Sequence, residues 1–256
     1  MPFDEYLAVD AASNSRLGYF VGKTPAYAKD RIDNPKPPTD DMRLGTLVHA
    51  MLLEPDAVND RFVAAPKVDR RTKIGKAKWA EFEKNSNGRE VYTEVVWEKA
   101  CKMAKNLLEA RGPVGGKTEV SAFWIDPQTE EPCKARFDEV FEDCDVIYDH
   151  KKTKSAEIGS VIRSIIDYGY ARQDAMYSEG YRIITGRPLK EFRFYFVESA
   201  DLYEVAPYNI DPDSVMKATI QYHSLLQLYS FCKKEDMWPT YSATPRTVTL
   251  PDRAFK

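Results

Sequence analysis

The chain has 256 residues, of which 43% are hydrophobic and 30% are charged. This composition is typical of a globular soluble protein, and the length suits one large domain or two small ones. The net charge of −3 excludes binding of a polyanion through overall charge, so a nucleic-acid partner would need a local basic surface. No apolar run approaches the roughly 20 residues of a membrane helix. Because the first ten residues also lack the features of a signal peptide, we expect a cytoplasmic protein without membrane contact.

The cysteines exclude some metal sites. None of the four belongs to a C-x-x-C pair: Cys101, Cys133, Cys144 and Cys232. This spacing disfavours zinc ribbons and fingers and gives no disulfide framework. We therefore predict free thiols.

The first 112 residues are predicted to form a helical N-terminal part. After a Pro- and Asp-rich connector at 33–41, five apolar residues at helical spacing predict a helix that ends near Pro55: Leu44, Leu47, Val48, Met51 and Leu52. The segment 67–78 holds six Lys or Arg against one Asp. Residues 94–110 predict a second helix, closed by Gly112 and Pro113.

The rest of the chain alternates strands and helices. We predict a hairpin, a third strand, a long helix, two further strands and a last helix, at 119–125, 133–142, 145–151, 157–184, 191–198, 203–210 and 211–234. Asp211 is the predicted cap of the last helix, with Pro212 at its first position. This order predicts one α/β domain over 1–256 with a mixed central sheet, in which 113–210 hold the catalytic sheet and helix and 211–256 the C-terminal helix and tail.

The segment "RGPVGGKT" at 111–118 nearly matches the phosphate-binding loop G-x-x-x-x-G-K-[ST]. Arg111 stands where the first glycine belongs. The segment also follows a predicted helix and precedes a strand, whereas the motif requires strand, loop and helix in that order. A glycine-rich turn is the better interpretation, and no nucleotide cofactor is expected.

Two aspartates and a lysine are the candidate chemical groups. Asp138 lies in one predicted strand, and Asp149 ends the next strand 11 residues later. If these strands are neighbours, the two carboxylates converge, and Lys151 shares the face of Asp149 because strand side chains alternate. Together with the backbone carbonyl of His150, such carboxylates suit Mg²⁺, and Lys151 would stabilise charge on a phosphate. The alternative is a solvated strand end with an incidental ion pair.

The predicted long helix carries a stripe of polar and aromatic residues. Tyr170, Gln173, Tyr177 and Tyr181 lie at i, i+3, i+7 and i+11, on a single face. One interpretation is an exposed or interface face. The other directs the stripe toward the acids, with Gln173 and Tyr177 holding a nucleic-acid backbone. His49 lies alone on an apolar helix, a pattern more typical of a core residue than of a ligand.

A series of segments in chain order carries a family resemblance: "SNSRLGYF…TPAYAKD", "LGTLVHAMLLEP", "RFVAAPKVDRRTKIGK", "EVSAFWIDPQTEEPCKARFDEVFED", "DVIYDHKKT", "QDAMYSEGY" and "EDMWPTYSATPRTVTLP". They resemble the PD-(D/E)XK nuclease superfamily and, within it, the RecE-type (exonuclease VIII) exonucleases. The D-x-K signal alone is weak, but the ordered series is specific and runs along almost the whole chain.

The resemblance implies a restriction-endonuclease-like core and a metal-dependent nuclease. Such enzymes resect one strand of linear double-stranded DNA from the 5′ end and expose a 3′ strand for recombination. They typically form a ring-shaped tetramer and hand the exposed strand to a RecT-type single-strand annealing protein. The expected metal is Mg²⁺, with Mn²⁺ as the alternative.

The resemblance also assigns roles to residues of this chain. His49 matches the motif histidine near the metal, Asp138 and Asp149 the metal-binding acids, and Lys151 the motif lysine. Gln173 and Tyr177 match the Q-x-x-x-Y helix motif that contacts DNA near the scissile phosphate. Glu119 is a plausible further acid.

Two features distinguish this chain from the proteins that it resembles. The usual Asp-x-Lys-Thr-Thr has Lys152 in place of its first threonine, and Lys152 should point to the opposite face from the motif residues. Relatives with an iron–sulfur cluster place three cysteines after the Q-x-x-x-Y helix, whereas only Cys232 follows it here. No iron–sulfur cluster is therefore expected.

Two basic regions are candidates for DNA contact. The segment 67–78 suits the duplex backbone because phosphate binding is driven by charge; its basic residues include Arg70, Arg71, Lys73, Lys76 and Lys78. A solvated basic loop is the alternative. Arg16 with Ser13 or Ser15 suits a terminal 5′-phosphate, since a cation and hydroxyls match that dianion.

Two other functional classes also stay open, a site-specific or structure-specific endonuclease and a non-catalytic ring that binds DNA ends.

Overall fold

The computed structural model describes residues 1–200 and 202–255, and within them a central sheet is covered by helices on both faces. The helices are α1 (Phe3–Ala8), α2 (Asn14–Gly18), α3 (Pro25–Asp33), α4 (Asp40–Leu53), α5 (Val58–Arg61), α6 (Lys73–Asn85), α7 (Glu94–Arg111), α8 (Ile158–Tyr168), α9 (Tyr170–Thr185) and α10 (Pro212–Lys234). The strands are β1 (Phe62–Ala65), β2 (Glu90–Thr93), β3 (Lys117–Ile125), β4 (Pro132–Phe141), β5 (Val146–Thr153), β6 (Glu191–Glu198) and β7 (Val205–Tyr208). Short 3-10 turns lie at Pro55–Ala57 and Asp252–Phe255.

The central sheet has the strand order β3-β4-β5-β6-β7. Its pairs are antiparallel except β5 with β6, which run parallel and are joined by the crossover through α8 and α9. The predicted mixed α/β fold is therefore confirmed. Strands β1 and β2 form a separate parallel pair, so the N-terminal part contains two short strands that the sequence did not predict.

Strand β6 shows why the sheet is covered on both sides. Phe192, Phe194 and Phe196 point to the face that packs against α9 and α10. Tyr195 and Val197 point to the opposite face, toward α4 and α7. Because both faces are buried, the strand is a nearly continuous apolar run rather than an alternating one.

The predicted helix over 157–184 was wrong in one respect, since it is two helices. Gly169 ends α8 and begins α9 with a φ of +68°, in the left-handed region. A Cβ at this position would lie 2.5 Å from the Arg172 guanidinium, so a larger residue would meet both backbone strain and a clash. A single glycine between two segments of helical spacing does not by itself predict a break, so the sequence pattern did not reveal it.

Most other predicted elements are present. The 119–125 and 133–142 hairpin, the third strand, both N-terminal helices and the last helix all form. The Asp211 side chain accepts a hydrogen bond from the Ser214 N–H, as expected of a cap. All four cysteines are free thiols. Across residues 1–200 and 202–255, every helix is too short or too polar to span a membrane.

Candidate active site

A cleft of about 780 Å³ opens where α1, α2 and α4 meet β3, β4, β5 and α9. Its walls carry more basic than acidic side chains. The cations are Arg16, Arg31, Arg61, Lys134, Arg136 and Lys151, and the acids are Glu54, Glu119 and Asp138. Cations thus outnumber acids in the lining of a chain whose net charge is negative, although Arg16, Arg31 and Lys151 pair with Asp10, Asp30 and Asp149 beside it.

The floor of the cleft forms where β4 and β5 separate. Their antiparallel register ends at the pair Glu139–Tyr148. Beyond that pair, the backbone N–H of His150 donates to Asp138 Oδ2 at 2.7 Å. A carboxylate therefore satisfies the amide that strand pairing leaves open, and it is held at the point where the strands diverge.

Three side chains converge at this point. One ligand atom from each of His49, Glu119 and Asp138 lies within 4.8 Å of the other two. His49 Nε2 lies 2.6 Å from the His150 carbonyl oxygen. A carbonyl can only accept, so Nε2 carries a proton. Nδ1 lies 3.6 Å from Asp138 Oδ2. Although burial acts to lower the pKa of His49, the Asp138 and Glu119 carboxylates raise it, so Nδ1 would have to release a proton before it binds a cation. An outward N–H donated to a backbone carbonyl is typical of histidines that bind a metal.

Glu119, one of these three residues, has an unusual backbone conformation. Its φ is +51° within β3, a left-handed value that is rare and costly for a residue other than glycine. The flanking pairs Thr118–Glu139 and Val120–Phe137 place Glu119 directly opposite Asp138. Arg136 Nε donates to Glu119 Oε2 at 2.5 Å and fixes this carboxylate.

Asp149 lies on the neighbouring strand, outside the convergent group. Gln173 Nε2 donates to Asp149 Oδ2 at 2.5 Å, and Lys151 Nζ lies 2.5 Å from Oδ1. The ammonium is close to Oδ1 but is not aligned for a regular hydrogen bond. The sequence predicted Asp138 and Asp149 as the metal pair. In the structure the two acids lie on adjacent strands but in different groups. Asp138 lies with His49 and Glu119, whereas Asp149 pairs with Lys151.

Burial and charge set the protonation of these acids. Burial raises the pKa of Asp149 to about 6, although Lys151 acts against this rise. Burial and the nearby Asp138 carboxylate raise the pKa of Glu119. Burial acts in the same direction on Asp138, but His49, the His150 contact and Lys151 outweigh it and hold the pKa of that carboxyl well below its usual range. Asp138 is therefore the acid that stays ionised most firmly.

Lys151 is held as a half-buried cation in the cleft lining. Its Nζ lies 4.8 Å from the centre of the Tyr170 ring, a cation–π distance. Although burial acts to lower the pKa of Lys151, the Asp149 carboxylate more than compensates, and the net shift is upward. Lys152 points away from this group and pairs with Asp41 of α4 at 2.6 Å, as expected from the alternation of the strand.

The aromatic stripe of α9 faces inward, so its interpretation as an exposed or interface face was wrong. Gln173 and Tyr181 are buried. Tyr177 lines the cleft and packs against Phe137, with ring centres 5.4 Å apart. The hydroxyl of Tyr181 donates to Asp145 Oδ1 at 2.8 Å. The stripe thus supports the strand β5 at several points, and Gln173 and Tyr177 lie beside the acids.

The predicted 5′-phosphate residues line the same cleft. Ser13 caps α2 through the Arg16 N–H, and Ser15 lies in the first turn of that helix. Arg16 Nη1 lies 2.5 Å from Asp10 Oδ1. By contrast, the basic residues of 67–78 are exposed around the start of α6 and do not line the cleft. The structure therefore places the first group with the acids and the second elsewhere on the surface.

The glycine-rich turn at 111–118 is filled by a protein carboxylate. The N–H groups of Gly115 and Gly116 each donate to Glu139 Oε1 at 2.9 Å, and Arg111 pairs with the same side chain. The segment lies between α7 and β3. This position agrees with the prediction of a turn rather than a phosphate-binding loop.

Sequence reasoning missed Lys134 and Arg136, which line the cleft next to Asp138. Lys134 is buried, and its Nζ donates to the backbone carbonyls of Tyr6 and Val9 at 2.8 and 2.7 Å. A signal was available in the sequence. Because side chains alternate along a strand, Lys134, Arg136 and Asp138 share one face. The sequence therefore placed two cations just before a predicted acid, on the same side of the strand.

The residues present fit a divalent cation. Carboxylate oxygens from Asp138 and Glu119 suit Mg²⁺ or Mn²⁺, and an imidazole nitrogen from His49 is compatible with Mn²⁺ and other transition metals. The low pKa of Asp138 keeps at least one anionic ligand available. The His150 carbonyl accepts from His49 and retains a second lone pair.

Comparison with solved structures supports the fold. The chain is similar to a protein named as a candidate exonuclease from Eubacterium rectale, with 13% identity, a TM-score of 0.66, and coverage of 98% of this chain and 95% of that chain. The chain is also similar to a phage-related exonuclease from Haemophilus somnus, with 12% identity and coverage of 89% of this chain and 96% of that chain. The TM-score of 0.38 is too low to compare the two folds. No curated protein matches the chain in sequence.

A family model covers most of the chain. Residues 19–248 match the model described as "PDDEXK-like domain of unknown function (DUF3799)". The matched range includes His49, Glu119, Asp138, Asp149 and Lys151. This match and the mixed sheet agree on the superfamily, and the chain therefore belongs to the PDDEXK-like domain family.

Proposed function

We propose that this protein is a metal-dependent 5′-to-3′ exodeoxyribonuclease that resects linear double-stranded DNA. One observation carries the proposal: the convergent group His49, Glu119 and Asp138 lies in the same basic cleft as Lys151. Hard oxygen ligands beside a half-buried ammonium suit phosphodiester hydrolysis. The family match and the resemblance to RecE-type exonucleases support the choice of nuclease over other metal-dependent chemistry.

Each side chain has a defined task in this account. Asp138, Glu119 and His49 would hold the divalent cation, with Asp149 beside them. The cation supplies an activated water and neutralises phosphate charge when it is bound. Lys151 stabilises the additional negative charge that develops on the phosphate. Gln173 and Tyr170 keep Asp149 and Lys151 in position through the contacts at 2.5 and 4.8 Å.

End recognition is proposed from the resemblance and from the position of Arg16, Ser13 and Ser15 in the same cleft. The terminal 5′-phosphate would bind there, while the segment 67–78 contacts the duplex backbone. A ring-shaped tetramer would keep the duplex in its channel, and a RecT-type annealing protein would receive the 3′ strand. Mg²⁺ is the proposed metal, with Mn²⁺ as the alternative.

The substrate form decides between the candidate classes. We would incubate closed circular, nicked and linear duplex DNA carrying a 5′-phosphate with Mg²⁺, using the wild type and Asp149→Asn. The proposal predicts loss of the linear form alone, and loss of that activity in the variant. Cleavage of closed circles would indicate an endonuclease instead. Intact linear DNA with both proteins, together with a gel shift, would leave a non-catalytic protein that binds DNA ends.

Strand polarity requires a second measurement. Linear duplex labelled at either the 5′ or the 3′ end of one strand reports which end is released first. The proposal predicts early loss of the 5′ label as mononucleotides or short products. Early loss of the 3′ label would contradict the proposed polarity without contradicting the nuclease itself.

A further inference from the structure

The most exposed aromatic side chain of the cleft lining is that of Tyr168. Tyr168 is the last residue of α8, beside the break at Gly169. Its side chain lines the cleft and is 65% exposed. Tyr170 and Tyr177, also in the lining, are only partly exposed and pack against the core. Leaving a large ring in water forgoes the free energy of burial, so the position of Tyr168 at this site needs a physical reason.

The inner face of the Tyr168 ring rests on a fixed support. The ring stacks on Tyr170 with centres 5.7 Å apart and planes 30° from parallel. Tyr170 in turn packs against Phe194 and Phe196 of the core, at 5.8 and 6.0 Å. The same Tyr170 ring lies under Lys151. Tyr168 is therefore one ring removed from the ammonium that would meet the scissile phosphate, and its outer face is free.

Tyr168 does not belong to the other exposed apolar surface of α8. Ile158, Ile162 and Ile166 follow one another at intervals of four residues and are exposed. At 100° per residue, Tyr168 and Ile166 point to nearly opposite sides of the helix. The three isoleucines do not line the cleft, whereas Tyr168 does. The apolar ridge and the tyrosine thus serve different surfaces.

We propose that Tyr168 is a stacking platform for the nucleobase of the nucleotide next to the scissile phosphate. This inference rests on the proposed function and names a subsite of the same cleft. A ring beside a cationic groove is the combination that binds single-stranded nucleic acid, and stacking accepts every base. The platform would hold a strand end that has left the duplex, in any sequence, while Lys151 meets its phosphate.

The test uses fluorescence of 2-aminopurine, which is quenched when the base stacks on an aromatic ring. A 5′-phosphorylated oligonucleotide would carry the probe at its first, second or third base in turn. Binding would be measured with Ca²⁺, a hard cation for the same oxygen ligands, and in EDTA, while a gel confirms that the DNA stays intact. We expect quenching at one of these positions with the wild type and with Tyr168→Phe. In the complex with Tyr168→Ala, the 2-aminopurine fluorescence should remain unquenched at saturating protein.

Affinity gives an independent readout. Tyr168→Ala should bind about 10-fold more weakly, the loss of one base–aromatic stack. The slope of log K against log salt should stay unchanged, because no phosphate contact is removed. Tyr241→Ala is the matched control, since Tyr241 is an exposed tyrosine that does not line the cleft. It should match the wild type in quenching and affinity.

The outcomes separate this inference from the proposed function. If the wild type binds the oligonucleotide but Tyr168→Ala is equally quenched and equally tight, the platform is wrong and the nuclease proposal stands. If Tyr168→Ala instead changes the sedimentation coefficient of the free protein, the ring lies in a contact between copies. If no oligonucleotide binds the wild type in either buffer, the proposed function itself fails.

Discussion

The carboxylate of Asp138 accepts the backbone N–H of His150 at 2.7 Å, just beyond Glu139 and Tyr148, the last paired residues of β4 and β5. This hydrogen bond fixes the acid where the two strands diverge, and His49 approaches the same oxygen from α4. Local backbone geometry and the candidate metal site are thus coupled through one side chain. The variants of Asp138 can separate these two roles.

Asp138→Asn should abolish metal binding and activity without unfolding the protein. The asparagine Oδ1 can still accept from the His150 N–H, but the anionic ligand is lost. We expect nuclease activity to fall by more than about 100-fold and calorimetric Mn²⁺ binding to weaken in parallel. The thermal midpoint in EDTA should fall at neutral pH, because the asparagine loses the interactions with His49 and Lys151 that lower the pKa of the native carboxyl, while the retained hydrogen bond keeps the fold. A variant that loses activity but binds Mn²⁺ as tightly as the wild type would contradict the assignment of Asp138 as a ligand.

Lys151→Met should separate catalysis from metal binding. Removal of the ammonium takes away stabilisation of phosphate charge, so the single-turnover rate should fall about 100- to 1,000-fold. The metal affinity should not decrease, because a positive charge near the acids has been removed. Lys152→Met is the matched control, since Lys152 pairs with Asp41 on the other face. Its rate should stay within about 3-fold of the wild type, because the Lys152 side chain pairs with Asp41 away from the candidate site. Equal losses in both variants would argue against the role of Lys151.

Asp174 should make the stability depend on pH. This buried carboxyl accepts a hydrogen bond from Ser178 Oγ at 3.0 Å, and burial raises its pKa from 3.8 to about 7. Between these two values the folded protein binds more protons than the unfolded chain. The stability contributed by the protonated carboxyl is therefore lost as the pH rises toward 7. The side chain of Asp174→Asn stays neutral at every pH. The free energy of unfolding of this variant should therefore exceed that of the wild type by about 2 to 4 kcal/mol at pH 8 and differ little from it at pH 4.

Urea unfolding in EDTA at several pH values measures this difference directly. Asp167→Asn serves as the control, because Asp167 is an exposed acid on the neighbouring helix α8. Its stability should follow the wild type at every pH. A constant difference between Asp174→Asn and the wild type from pH 4 to pH 8 would show that the folded carboxyl does not titrate in this range.

Two glycine variants test the packing of helices against the sheet. A Cβ at Gly180 of α9 would lie 2.7 Å from the Trp124 ring, whereas a Cβ at Gly45 of α4 would meet nothing within 4 Å. Gly180→Ala should destabilise by about 1 to 3 kcal/mol through overpacking. Gly45→Ala should stabilise by about 0.5 to 1 kcal/mol, because alanine favours a helix more than glycine does. Thermal unfolding in EDTA should show these opposite shifts, and a shift of the same sign in both would contradict the packing of α9.

Much of the fold followed from local patterns. The alternation in β3 and β4, the apolar run of β6 and the Asp211–Pro212 start of α10 each predicted an element that is present. The break at Gly169 was missed because a single glycine between two segments of helical spacing does not by itself predict the end of a helix. The strands β1 and β2 were missed because each has four residues and pairs across a long sequence separation, which local propensity does not encode.

The candidate site was less accessible to sequence reasoning. Alternation placed Asp149 and Lys151 on one face, and their contact at 2.5 Å agrees with that. The position of His49 beside Asp138 followed only from the resemblance, since the lone histidine pattern favoured a core residue. The left-handed backbone of Glu119 and its pairing with Arg136 depend on the strand register. The exposure of Tyr168 in the cleft could not be predicted from the sequence, because it depends on the break between α8 and α9.

The most direct test of the central claim is to locate the metal. Crystals of the wild type grown with Mn²⁺ and a 5′-phosphorylated oligonucleotide would be measured near the manganese absorption edge. The account predicts an anomalous peak bounded by His49 Nδ1 and the carboxylates of Glu119 and Asp138, with Lys151 facing the phosphate beside it. An anomalous map at saturating Mn²⁺ with no peak among these three side chains would contradict it.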